Sequence, residues 1–192
     1  MSLAALLLFV RTLGLTLPLW LVAGWSTAEA TIFFIVADVP ISWIAVRSGT
    51  RAAMLAAVVA AMASVAGTIL VYWWVRHDAA GAAATMASLP GIDGAMLAQS
   101  ADHYRHGLQA VLAGSFEGIP FKTFALAAAK TPDWTFLLLA PLLRLPRFVG
   151  VALVSGGLSR LLERWLTMRQ RLALLLLVWI AFYAAYFSAM PR

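Results

Sequence analysis

The chain has 192 residues, of which 63% are apolar and 11% charged, and its mean hydropathy is +0.89. A water-soluble domain of this length carries about a quarter charged residues, so the composition argues against a soluble globular fold. The net charge of +6 does not read as nucleic-acid binding, because the densest basic cluster, Arg160, Arg164, Arg169 and Arg171, falls between two apolar runs, the usual place of positive-inside charge beside anionic lipid headgroups. With no cysteine there is no disulfide framework, thiolate nucleophile or iron–sulfur ligand set.

Four runs approach or exceed the roughly 20 apolar residues that cross a hydrocarbon core of about 30 Å. They are Leu3–Ala23, Ala52–Trp74, Trp134–Leu158 and Leu172–Met190. None alternates at period two, so the spans are predicted to be helices rather than barrel strands. Arg11 sits within the first run, where its long stem reaches towards an interface. Ala28-Glu29-Ala30 resembles a signal-peptide cleavage site, but the long apolar stretch without a preceding basic region is expected to be a retained helix.

After the first run comes a short apolar segment, Ile32–Val46, holding Asp38 and Pro40. Fifteen residues are short for a span at about 1.5 Å per residue, and a proline interrupts the helical ladder. Ala52–Trp74 follows, with Ala56, Ala60 and Ser64, joined by Ala63 and Gly67, forming a stripe that lets another helix approach closely. Trp73, Trp74 and Trp134 near span ends read as interfacial anchors. Residues 77–107 form the most polar stretch, expected to be an interfacial linker with an amphipathic helix whose Leu97, Tyr104 and Leu108 share a face. Leu108–Ala129 is again apolar but interrupted, by Glu117-Gly118-Ile119-Pro120 and Lys122, and again a long run follows. Ser155-Gly156-Gly157 is read as a helix break.

Two halves of similar plan, each with a proline-interrupted segment before a long helix, point to a transport site near the midplane. The expected fold is an all-α integral membrane protein with about four transmembrane helices plus two re-entrant helical hairpins in an inverted repeat, in a single domain over residues 1–192. With the Arg160–Arg171 loop in the cytoplasm, Arg47 and Arg51 are cytoplasmic as well.

Ionisable groups at membrane depth cost about 2.5 kcal/mol or more each and usually face a bundle interior or a wet cavity. Glu29, Asp38, Glu117, Lys122, Arg144 and Arg147 comprise three acids and three bases, enough to neutralise one another around a polar chamber, with Pro40 and Pro120 as the hairpin breaks. The carboxylates would exchange protons and the cations would hold a phosphate headgroup. The competing reading pairs Glu117 with Lys122 structurally and lets the arginines snorkel. His103 and His106 beside Asp102 lack a third ligand, so a solvated helix face is preferred to a metal site. No nucleophile, phosphate-loop or zinc-protease pattern is present, so neither an enzyme nor a resident cofactor is expected.

The stretch Gly114-Ser115-Phe116-Glu117-Gly118-Ile119-Pro120-Phe121-Lys122-Thr123-Phe124-Ala125, followed by Leu143-Arg144-Leu145-Pro146-Arg147-Phe148, resembles the signature half of the DedA (VTT-domain) membrane proteins. Residues 28–40, with Glu29, Asp38 and Pro40, resemble the acid- and proline-bearing first hairpin of a divergent branch, and Gly67, Tyr72 and Arg76 fit the helix that follows. The likeness covers roughly residues 29–158, with broken segments at 29–46 and 108–129. Two departures stand out. Glu117 occupies a place where the family commonly has arginine, and Lys122 lies two residues after the proline, where an arginine often stands three after. The resemblance implies transport or scrambling of phospholipids or polyprenyl-phosphate lipids, proton-coupled in some members. It also implies a multi-pass protein of the bacterial inner membrane that takes anionic or phosphorylated headgroups as partners. By motif position, Glu29 and Asp38 would be the first-hairpin acids and Lys122 the cation after the second-hairpin proline. The alternative is a non-catalytic membrane subunit or assembly factor that docks on a larger complex. The expected association is with copies of itself, as a homo-oligomer, or, under the alternative, with a membrane-complex partner.

Overall fold

A backbone surrounded by apolar side chains and lipid has to satisfy its own hydrogen bonds, and helices do so within one segment. The structure, a computed structural model, describes residues 14–131 and 134–189. These residues form nine α-helices and no strand: α1 (Thr16–Glu29), α2 (Asp38–Ser48), α3 (Thr50–His77), α4 (Ala79–Ser88), α5 (Gly94–Arg105), α6 (Leu108–Phe116), α7 (Phe121–Ala129), α8 (Trp134–Leu162) and α9 (Met168–Ala189). Among them α3, α8 and α9 are long and apolar enough to cross a membrane. Arg11 and most of the expected first span lie outside the described residues.

The two longest helices form the axis of the bundle and run antiparallel. Near the start of α3, Thr50 touches Gly156 near the end of α8, while Tyr72 near the end of α3 stacks on Phe136 near the start of α8. Two apolar cores grow from this axis. The first joins α1 and α2 to the early half of α3 (Ala52, Ala53, Ala56, Ala57, Ala60, Ala61) and to Phe148 and Ala152 of α8. The second joins α4 and α7 to the late half of α3 (Val71, Tyr72, Val75) and to Phe136–Leu143 of α8. Each interrupted segment therefore packs on its own end of the same helix pair.

Small residues make this packing possible. Ser26 Oγ donates to Ala60 O at 2.8 Å and Thr27 Oγ1 to Ala63 O at 3.0 Å, so α1 lies nearly backbone to backbone on α3. A Cβ on Gly67 would run into the Thr27 carbonyl and the Ala30 methyl. The same logic corrects the expected break at Ser155-Gly156-Gly157: α8 is continuous there, and Gly156 is needed because a Cβ would strike Thr50. Pro141 and Pro146 also lie inside α8 without ending it, as is tolerated where neighbouring groups satisfy the freed backbone.

The polar connection holds two helices, each begun by an aspartate. Asp78 accepts from Gly81 N and Asp93 from Met96 N, both at N-cap positions. Leu97, Tyr104 and Leu108 pack on the second core, as their common face predicts. The C-terminal helix α9 starts with a reciprocal cap between Thr167 and Gln170 and contains no buried residue.

Candidate functional site

Both interruptions carry backbone groups that the helical ladder leaves open, and side chains from elsewhere satisfy them. In residues 30–37, between α1 and α2, the indole of Trp25 donates to Ile35 O at 3.0 Å and the Tyr183 hydroxyl accepts from Val36 N at 2.9 Å. Lys122 Nζ donates to Phe33 O at 2.6 Å. In residues 117–120, between α6 and α7, Gly118 takes φ +91°, a left-handed value that glycine adopts without a Cβ penalty, and Pro120 begins α7 as its N-cap residue. Irregular backbone at membrane depth survives only where protein or a polar cavity supplies such partners.

Pro120 therefore stands at its break, but Pro40 does not. The first interruption ends at Ala37, and Pro40 is the third residue of α2, where a missing N–H costs nothing because the first-turn donors have no helical acceptor anyway. Pro40 borders an outer apolar groove with Trp43 and Arg47, away from the ionic cluster.

Five of the six candidate ionisable residues meet between the two cores. Arg144, 5% exposed, pairs through Nη2 with Glu29, 4% exposed. Its guanidinium also lies 5.1 Å from the Phe121 ring centroid and 4.9 Å from that of Phe148, so aromatic faces share in stabilising the charge. Arg147 donates through Nε and Nη2 to Asp38 Oδ2 at 2.9 and 2.6 Å, and through Nη1 to the carbonyl of Ser115 at 3.0 Å. Its planar fork thus spans both interrupted segments at once, which a lysine's single ammonium cannot do. Lys122, also buried, reaches from α7 to the first interruption.

The sixth candidate lies apart. Glu117 is half exposed and approaches His103 of α5 at 3.2 Å, so it is not the partner of Lys122. His106, which caps the end of that helix, and Asp102 form an exposed pair. Among the described residues no group of three His, Cys, Asp or Glu is placed to hold a metal ion.

Two adjoining cavities open around the cluster. One of about 20 Å³ is lined by Arg144, Ser115, Phe121 and Phe148, and one of about 80 Å³ by Lys122, Phe33, Pro120 and the α9 residues Phe182, Tyr183 and Tyr186. Glu29, Val36 and Arg147 border both and form the partition. Two buried polar atoms at the cluster, Asp38 Oδ1 and Arg144 Nη1, have no hydrogen-bond partner among the described residues. Such atoms are costly unless water or a ligand reaches them. Chemically, the arrangement offers cations for an anionic group and carboxylates that can carry protons, all within a desolvated space.

The α9 wall was not foreseen. Tyr183 and Tyr186 sit in a run whose apolarity marks only a span, and the hint is the spacing of Trp179, Phe182, Tyr183, Tyr186 and Phe187, which stack three and four residues apart. No protein-family model matches the chain, and neither curated proteins nor solved structures give a match.

Proposed function

We propose that the chain is a multi-pass membrane transporter or scramblase of the DedA type, acting on phospholipid or polyprenyl-phosphate lipids at the ionic cluster. The observation that carries this reading is Arg147, which holds the buried Asp38 of one interrupted segment and Ser115 of the other from a partly buried position bordering two cavities. A packed structural protein would have no use for three cations and two carboxylates there, because apolar residues of similar volume are usually as stable or more so.

In this reading the broken segments 29–46 and 108–129 are the two re-entrant hairpins, each followed by a long helix, and the antiparallel course of α3 and α8 is what an inverted repeat produces. Arg47, Arg51 and the Arg160–Arg171 loop face the cytoplasm of a bacterial cell. The cysteine-free chain allows this to be checked by placing single cysteines at Arg51 and Arg164 and labelling them from each side in intact cells.

The functional test is translocation of fluorescent phospholipid and of a phosphorylated polyprenyl carrier in proteoliposomes, with and without a proton gradient. Transport that falls in Glu29→Gln and Lys122→Ala supports the site. An unchanged rate in both removes the site, and no transport under any gradient removes the function. The unburied surface of α9 also allows a second reading, a subunit that docks on a larger complex; a stoichiometric partner retained in mild detergent would favour it.

A further inference from the structure

The charges of the cluster do not balance. Glu29 is engaged by Arg144 and Asp38 by Arg147, which leaves Lys122, 2% exposed, without a carboxylate in ion-pair reach among the described residues. Its ammonium spends one donor on Phe33 O, so two remain. Lys122 lines the larger cavity, and so does Tyr183. The Tyr183 oxygen accepts from Val36 N, while its own proton has no acceptor among the described residues. Tyr186, on the same wall, is already committed as a donor to Gly91 O at 2.9 Å. The cavity of about 80 Å³ is several times the ~15 Å³ that admits one water, so a tetrahedral anion of phosphate size fits.

Resting on the lipid-transport reading above, we infer that this cavity binds a singly charged phosphodiester of a lipid headgroup, held between the Lys122 ammonium and the Tyr183 hydroxyl. Three cations against two carboxylates leave a single positive charge, which a phosphodiester neutralises. A phosphomonoester brings roughly −1.5 to −2 near neutral pH and leaves net negative charge in a desolvated space. The cluster therefore selects diester over monoester by charge count, and Tyr183 is a binding residue contributed by the last helix.

The experiment is native mass spectrometry of the purified full chain with phosphatidylglycerol, phosphatidic acid or inorganic phosphate as probes, run beside translocation in galactolipid vesicles doped with each phospholipid. The expected result is preferential binding of phosphatidylglycerol, weakened about tenfold or more in Tyr183→Phe and Lys122→Met, as loss of a hydrogen bond to a charged group implies. Ser188→Ala, an exposed position on the same helix that does not line the cavity, should leave binding unchanged. Glu29→Gln raises the cluster by one positive charge and should shift preference towards phosphatidic acid, a change that mere damage to the fold does not produce. Equal binding of the two lipids, an unaffected Tyr183→Phe, or equal competition by inorganic phosphate would each overturn the inference. Translocation without headgroup preference overturns this inference alone, whereas no translocation of any lipid overturns the function it rests on.

Discussion

Replacing Arg147 by methionine removes two hydrogen bonds to Asp38 Oδ2 and one to Ser115 O, and strands a carboxylate that is 3% exposed with its other oxygen already unpartnered. Breaking a buried pair from one side costs about 3–5 kcal/mol, chiefly through the charge left behind. Arg147→Lys keeps the charge but cannot reach both segments, so an intermediate loss of about 2 kcal/mol is expected from the missing contacts. The decisive variant is Asp38→Asn combined with Arg147→Met. With no ion left to desolvate, its loss should be at least about 2 kcal/mol smaller than the sum of the two single losses. Equilibrium unfolding in bilayer discs, for instance by steric trapping, gives all four values. If Arg147→Met costs under about 1 kcal/mol, or the losses of the two single changes simply add, the two segments are not tied through this residue and the site argument fails.

Other outcomes follow from particular contacts. Gly67→Ala should cost about 1–3 kcal/mol by overpacking against Thr27 and Ala30, whereas Gly150→Ala, with open space around its Cβ, should be neutral or gain up to about 1 kcal/mol from helix propensity; thermal unfolding in detergent compares them. Trp179→Phe removes the indole bond to Ser42 at 3.0 Å and should cost about 1 kcal/mol in the same assay. Glu117→Gln should change stability by less than about 1 kcal/mol and leave lipid translocation at the parental rate, since its partner is a partly exposed histidine outside the cavities. A large transport defect there would return Glu117 to the site.

The long helices were legible because run length and apolarity are local properties, and a hydrocarbon core of fixed thickness acts on them directly. The alanine–serine–glycine stripe of α3 is legible for a similar reason, since spacings of three to four residues place Ala56, Ala60, Ser64 and Gly67 on one buried face. Small residues alone do not separate a break from a close crossing: the Ser155-Gly156-Gly157 run suggests the first, and Gly156 serves the second. A proline presents the same ambiguity. Pro120 opens a helix after a glycine turn, while Pro40 sits harmlessly in a first turn, so the interruption lies before it.

Pairing was the part that sequence could not supply. Glu117 and Lys122 are neighbours along the chain, which made them natural partners, yet the actual pairs join residues 115 and 109 positions apart. Those separations follow from the antiparallel course of α3 and α8, which folds the end of α1 and the start of α2 onto the middle of α8. Once both acids are spent on arginines, Lys122 is the cation left without a carboxylate in ion-pair reach among the described residues, and it lies on the cavity wall. Local sequence names the ionisable residues, but only the tertiary pairing says which of them is left over. The leftover group is the one a ligand would meet.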